Sequence, residues 1–247
     1  MTSPPEPFQV LLFSRTTAYR HESIPAAIRA ISNLAVSSPS TSPHPTRHPH
    51  NHPTFTFLAS ETPTIFTPAL LSPFRVIILL QCSGEFLNAS QLAALKGFVR
   101  SGGGVVGIHC ASAAMESDEW YGRLIGGVFD WHPEPARERV RVVDGGHAAL
   151  GVWREVMKGR GQGEGEGEWE WMDEWYRFKG GTEGIKENVQ VLMAGGDLGR
   201  ENPVVWCQEF EGGRSFYTSL GHFDEAYEDK GFIAQVLGGI LWTAGVC

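Results

Sequence analysis

The chain alternates short apolar runs with longer polar segments, and the spacing predicts a parallel α/β sheet. Phe8-Gln9-Val10-Leu11-Leu12-Phe13 reads as a first strand, and Pro25 opens a helix whose apolar positions Ile28, Ile31 and Leu34 lie three residues apart. Phe55 to Ala59 alternates as a second strand. Val76-Ile77-Ile78-Leu79-Leu80 is an unbroken apolar run, the pattern of a central parallel strand covered on both faces. The next helix has Asn88 as N-cap, Gln91 three residues on, Leu92, Leu95, Phe98 and Val99 along one side and Gly102 past its end. It delivers the chain to a strand from Val105 to His109, with Cys110 just after it. Ligands of open parallel sheets bind beyond the C-terminal ends of the strands, so a His-Cys pair there is the first candidate for chemistry.

The second half is less regular. Asp118 to Gly127 reads as a short helix, followed by Val128-Phe129-Asp130-Trp131-His132-Pro133, which sets a histidine among aromatic residues. Arg139 to Val143 alternates as an exposed strand. Val189 to Ala194, Val204 to Glu209 and Ser215 to Ser219 give three more, the last two joined by a hairpin at Glu211-Gly212-Gly213-Arg214. Trp169 to Phe178 is the most aromatic stretch, and its alternation puts Met172, Glu174 and Tyr176 on one face and Trp171, Asp173 and Trp175 on the other. Glu174 is read as the inward acid and Asp173 as an exposed or structural partner; a register shift of one residue would exchange them. A closing helix carries Phe232, Ile233, Val236, Leu237, Ile240 and Leu241.

At 247 residues and 42% hydrophobic content, one α/β domain over residues 1–247 is expected. Two stretches interrupt it: residues 36–53, rich in Ser, Pro, Thr and His, and the Gly-Glu run at 159–168, both read as flexible surface insertions. The insertion's His44, His48, His50 and His52 are separated by prolines and are left out of the site. The formal charge of -8 argues against nucleic acid or an anionic membrane as partner and suits a neutral small molecule. The four cysteines form no C-x-x-C pair, and no basic, apolar leader precedes the first strand, so a reducing, cytoplasmic setting is expected; a homo-oligomer stays open.

Seven segments in this order resemble the trehalose-utilisation (ThuA-like) family: Arg20-His21-Glu22-Ser23-Ile24, Gly102 through His109, Phe129-Asp130-Trp131-His132-Pro133, Asp173-Glu174-Trp175-Tyr176, Pro203-Val204-Val205-Trp206, Gly213-Arg214-Ser215-Phe216-Tyr217 and Leu220-Gly221-His222. The resemblance implies the flavodoxin-like fold of class I glutamine amidotransferases, a three-layer sandwich with a mostly parallel central sheet and an antiparallel C-terminal extension. In those enzymes this strand ends in a Gly-x-Cys elbow that carries the nucleophile. Gly107-Ile108-His109 puts a histidine there instead, with Cys110 one residue late. The family's usual alanine after the histidine, and the Thr-Asp pair beyond it, are replaced by Cys110, Ser112 and Ala113.

His21, His109, His132 and His222 are each expected at the end or loop of a different element and, with Glu174, form the candidate catalytic set. Three histidines and a glutamate also match the ligands of a catalytic Zn²⁺ or similar divalent ion, although no local H-x-x-H spacing supports one and the metal stays open. Arg20, Trp131, Tyr176, Trp206, Arg214 and Cys110 are the candidate substrate contacts: indole faces for a sugar ring, guanidiniums and a phenol for its oxygens. The resemblance implies carbohydrate catabolism, acting on a disaccharide or a 3-keto-sugar derivative. A non-catalytic sugar-binding or regulatory module and a Cys110-dependent hydrolase or amidotransferase are the alternatives.

Overall fold

The computed structural model describes residues 6–36, 55–158, 167–181, 185, 189–196 and 202–247. The stretches 37–53 and 159–166, which carry nearly all of the expected insertions, lie outside the described residues. At their edges, Val36 closes the first helix and Glu168 already begins a strand, so neither belongs to an insertion.

The unbroken apolar runs form the middle of one nine-stranded sheet. β1 (Phe8–Phe13), β2 (Phe55–Ser60), β3 (Phe74–Leu80), β4 (Gly104–Ile108) and β11 (Gly213–Thr218) lie parallel in the order β2-β1-β3-β4-β11. Beyond β11 the sheet continues antiparallel through β10 (Pro203–Phe210), β9 (Gln190–Gly195), β6 (Ala136–Val142) and β7 (Glu168–Asp173). Two short strands, β5 (Phe129–Trp131) and β8 (Arg177–Phe178), pair apart from it. This is the expected flavodoxin-like α/β sandwich with an antiparallel extension.

Successive strand residues point to opposite faces, so the continuous runs feed two cores. Val10, Leu12, Ile78 and Phe216 pack on one face with Ile31 of α1 (Ile24–Val36) and Val236 and Ile240 of the closing helix, α6 (Lys230–Thr243). Leu11, Phe13, Ile77 and Val105 pack on the other with Leu95 and Val99 of α3 (Ala89–Arg100) and Leu124 of α4 (Glu119–Ile125). A one-turn helix, α2 (Pro68–Leu71), precedes β3, and α5 (Gly151–Lys158) packs on α6. The Asn88–Gln91 capping box is present, each side chain accepting the other's backbone N–H.

The alternation read through Trp169 to Phe178 fails at one point. β7 ends at Asp173, and residues 174–176 leave the sheet before β8 begins, so the two-residue period no longer sorts faces. Asp173 and Glu174 are both buried, and Asp173 is not exposed.

Candidate functional site

The parallel strands all end on one side of the sheet, and the loops after β1, β3, β4 and β11 carry His21, Gln81, His109 and His222 respectively. His109 begins a short 3-10 turn directly after β4 with φ of +53°, a conformation uncommon for a residue with a Cβ. The strained elbow implied by the resemblance is thus present one residue beyond the strand. Its backbone carbonyl accepts the Tyr217 hydroxyl at 2.7 Å, and Tyr217 in turn pairs with Ser112 Oγ at 2.8 Å.

His109 is fully buried, and its Nδ1 lies 2.6 Å from the Ser219 carbonyl, which can only accept. Nδ1 therefore carries the proton and Nε2 presents a lone pair. Three groups crowd that lone pair: Tyr176 Oη at 3.0 Å, His21 Nε2 at 3.1 Å and Glu174 Oε2 at 3.3 Å. Only one proton can sit on it. Glu174 Oε2 also lies 3.2 Å from His222 Nδ1, a buried nitrogen that makes no hydrogen bond of good geometry among the described residues. The other carboxylate oxygen is 3.5 Å from His132 Nε2, while His132 Nδ1 donates to the Pro133 carbonyl at 2.8 Å.

One donor atom each from His21, His109, Glu174 and His222 lies within 4.8 Å of the others. Surplus lone pairs aimed at one point, with an unpaired imidazole nitrogen beside them, are the arrangement a divalent cation resolves. The charge states of Glu174 and His21 suit such an ion, while that of His222 favours a proton in its place. Burial alone would raise the Glu174 carboxyl, but the imidazoles of His109 and His222 against it outweigh burial and hold it well below the usual carboxylate range. Burial, then the neighbouring His109 and His222, lower His21 to about 3, leaving it neutral with a lone pair to offer. His222 is pushed down by burial, but the Glu174 carboxylate 3.2 Å from its Nδ1 prevails and raises it.

Asp173 builds the frame behind this cluster. Its Oδ2 accepts the Gly221 N–H and the Trp171 indole N–H, both at 2.8 Å, and its Oδ1 accepts the backbone N–H of Glu174 at 2.9 Å and of His222 at 3.2 Å. One carboxylate therefore fixes the backbones of two site residues. Gly221 has φ of +112°, and a Cβ there would meet the Tyr227 hydroxyl at 2.9 Å, so the turn that aims His222 requires glycine. The buried Gln81 amide donates to the Gly221 carbonyl at 2.7 Å, and Ser23 donates to the His222 carbonyl at 2.6 Å.

The structure brings together His21, His109, His132, His222, Glu174 and Tyr176. Trp131 is 55% exposed, two strand residues from Phe129, whose ring packs on Tyr176. Arg20 is exposed beside His21 and paired with Glu61 at 2.7 Å. Cys110 is buried, its thiol 3.4 Å from His21 Nδ1; burial pushes that thiol up, away from the thiolate that a cysteine nucleophile needs. Trp206 and Arg214 stand apart. Trp206 is core, 1% exposed, with its indole N–H donated to the Ile125 carbonyl at 2.7 Å. Arg214 sits where β11 begins, opposite Gly104 at the start of β4, and donates to the Trp242 carbonyl at 3.0 Å. Asp173, read as an exposed or structural partner, is the structural one, while Gln81 and Ser23 were missed as site-builders; Gln81 directly follows β3 and Ser23 directly precedes α1.

Solved structures share this fold. A ThuA-like protein from Bacteroides uniformis superposes with a TM-score of 0.70 at 18% identity, covering 96% of this chain and 91% of that one. A ThuA-like protein from Parabacteroides merdae gives 0.68 at 19% identity, covering 96% and 90%. A cytoplasmic protein from Salmonella typhimurium gives 0.57 at 10% identity, covering 94% and 97%. No curated relative matches the sequence. Among the described residues no helix is long and apolar enough to cross a membrane. The profile of the ThuA family, described as trehalose utilisation, matches residues 9–243, and the chain belongs to that family, with the carbohydrate-related role that its name carries.

Proposed function

We propose that this chain is an enzyme acting on a disaccharide or a 3-keto-sugar derivative by histidine and glutamate acid-base chemistry, with His21, His109, Glu174 and His222 holding a divalent cation. The observation that carries the reading is the convergence of four donor atoms within 4.8 Å, from four separate segments of the chain, at the ligand-binding end of the sheet. A bound cation would supply fixed positive charge beside a substrate oxygen. The remaining work falls to the chain's own residues. His132, with Nδ1 committed to Pro133 and Nε2 facing the Glu174 carboxylate, is placed to take up a proton and have the resulting charge stabilised.

A ketone at C3 acidifies the C2–H bond. His132 accepts that proton, the C1–O bond to the leaving sugar breaks as the C1–C2 double bond forms, and His132 hands the proton on to the departing oxygen. Water added across the double bond completes a net hydrolysis. Tyr176 holds a hydroxyl donor 3.0 Å from His109 Nε2, within reach of an oxygen bound there. Trp131, at the exposed rim, offers a flat face for the sugar ring.

The test is product release from 3-keto-trehalose. The reading expects kcat/KM to fall by roughly 10²- to 10⁴-fold in His109→Ala and in Glu174→Gln, each with its fold retained. Unchanged turnover in either variant contradicts it. Tight binding of unmodified disaccharide with no product, tolerant of His109→Ala but lost in Trp131→Ala, would support a non-catalytic sugar-binding module.

A further inference from the structure

A cavity of about 560 Å³ lies outside the histidine cluster. Leu220 and Phe223 line it, while His222 between them is turned to Glu174; none of His21, His109, His132 and Glu174 contributes to its wall. Its volume falls in the range of small-molecule sites, roughly 300–1,000 Å³.

Three features of the wall specify a ligand. Trp153, Trp169 and Trp171 supply flat aromatic surface, and Trp171 is locked in place because its indole N–H is already given to Asp173. Gln235 lines the cavity at 1% exposure, and its Nε2 finds no hydrogen-bond partner among the described residues. A buried amide donor left empty is destabilising, and an acceptor oxygen on a ligand would satisfy it. On the tryptophan side the charged groups are Glu225 and Asp229, since alternation along β6 and β7 turns Arg137 and Glu170 to the other face; two carboxylates disfavour an anionic ligand and offer acceptors for hydroxyl groups.

Flat apolar faces for C–H surfaces, carboxylates for hydroxyls and one buried donor for an oxygen together fit a polyhydroxylated ring without charge. We propose that this cavity is a second binding site, for the ring of a neutral saccharide, separate from the histidine cluster. Trp171 joins the two sites physically, since the carboxylate that accepts its N–H also holds the backbones of Glu174 and His222.

Calorimetric titration of the full chain with trehalose, maltose and cellobiose, with glucose 6-phosphate as the charged control, tests it. Binding of at least one disaccharide is expected, weakened about tenfold in Trp169→Ala and in Gln235→Met, the latter keeping side-chain volume while removing the donor. Glu225→Ala, at an exposed position, should weaken it at least threefold. Trp131→Ala and Glu174→Gln should leave this binding intact. The proposal is overturned if none of the three disaccharides binds, if binding is lost in Trp131→Ala and untouched in Gln235→Met and Glu225→Ala, or if glucose 6-phosphate binds more tightly than the neutral sugars.

Discussion

Replacing Asp173 by Asn changes no volume, yet it should destabilise the protein strongly. Each carboxylate oxygen accepts two N–H groups, Oδ2 from Gly221 and Trp171 and Oδ1 from Glu174 and His222. An asparagine offers one oxygen, so two of the four donors face an NH₂ group. Hydrogen bonds to a charged acceptor contribute roughly 1.5–3 kcal/mol each, so two lost bonds cost about 3–6 kcal/mol. Part of this is offset because Asn carries no charge to bury, and burial is the largest influence on the Asp173 carboxyl, raising it above the usual value. We expect a net loss of about 2–4 kcal/mol, read by urea denaturation at pH 7 with an unchanged m-value. A loss below about 1 kcal/mol would refute the idea that this carboxylate fastens the Gly221–His222 turn to the end of β7.

Three further outcomes follow from the same geometry. Cys82, Cys110 and Cys207 are buried and Cys247 is exposed, so a maleimide added to the native protein should label one thiol per chain, at Cys247; fast labelling of Cys110 would reopen the cysteine-nucleophile alternative. Asp118 caps α4 through the Tyr121 N–H at 2.9 Å and pairs with Lys96 at 2.9 Å, so Asp118→Ala should cost about 1 kcal/mol at pH 7 by thermal or urea melts. Burial raises its carboxyl, but the Lys96 and Tyr121 bonds outweigh burial and lower it; the charge-dependent stabilisation is therefore present above about pH 4 and should shrink as the pH falls through the lowered folded value, whereas a difference that does not shrink on acidification contradicts the assignment. Tyr217→Phe removes the hydroxyl that donates to the His109 carbonyl and should cost about 1 kcal/mol, leaving that carbonyl only the Ser112 hydroxyl at 3.5 Å; an unchanged midpoint would show that the elbow needs no such support.

The parallel half of the sheet was legible because its signals are local. Val76 to Leu80 and Val105 to Ile108 are apolar without interruption only because both faces are covered, and Asn88 with Gln91 marks a helix start by side-chain reach alone. The histidines after β1, β4 and β11 were legible for a topological reason, since parallel strands bring their ends to one rim. Asp173 and Glu174 could not be sorted, because the two-residue period holds only while the chain stays in the sheet and β7 ends between them. Arg214 was misjudged by direction: it stands four residues before the end of β11, about 13 Å from the rim at the rise of an extended strand. Trp206 has the sequence signature of any strand aromatic, and only the packing of Tyr217 and Phe178 against it shows that it is core.

The account rests most heavily on four donor atoms meeting at one point. Elemental analysis of protein purified without a histidine tag, compared with Glu174→Ala and His109→Ala prepared identically, tests this directly, since the variants keep His44, His48, His50 and His52 and so cancel any metal held there. The account predicts about one more equivalent of zinc or another divalent ion per chain in the parent protein than in either variant. Equal metal content in all three proteins, or full activity in metal-free protein, would contradict it.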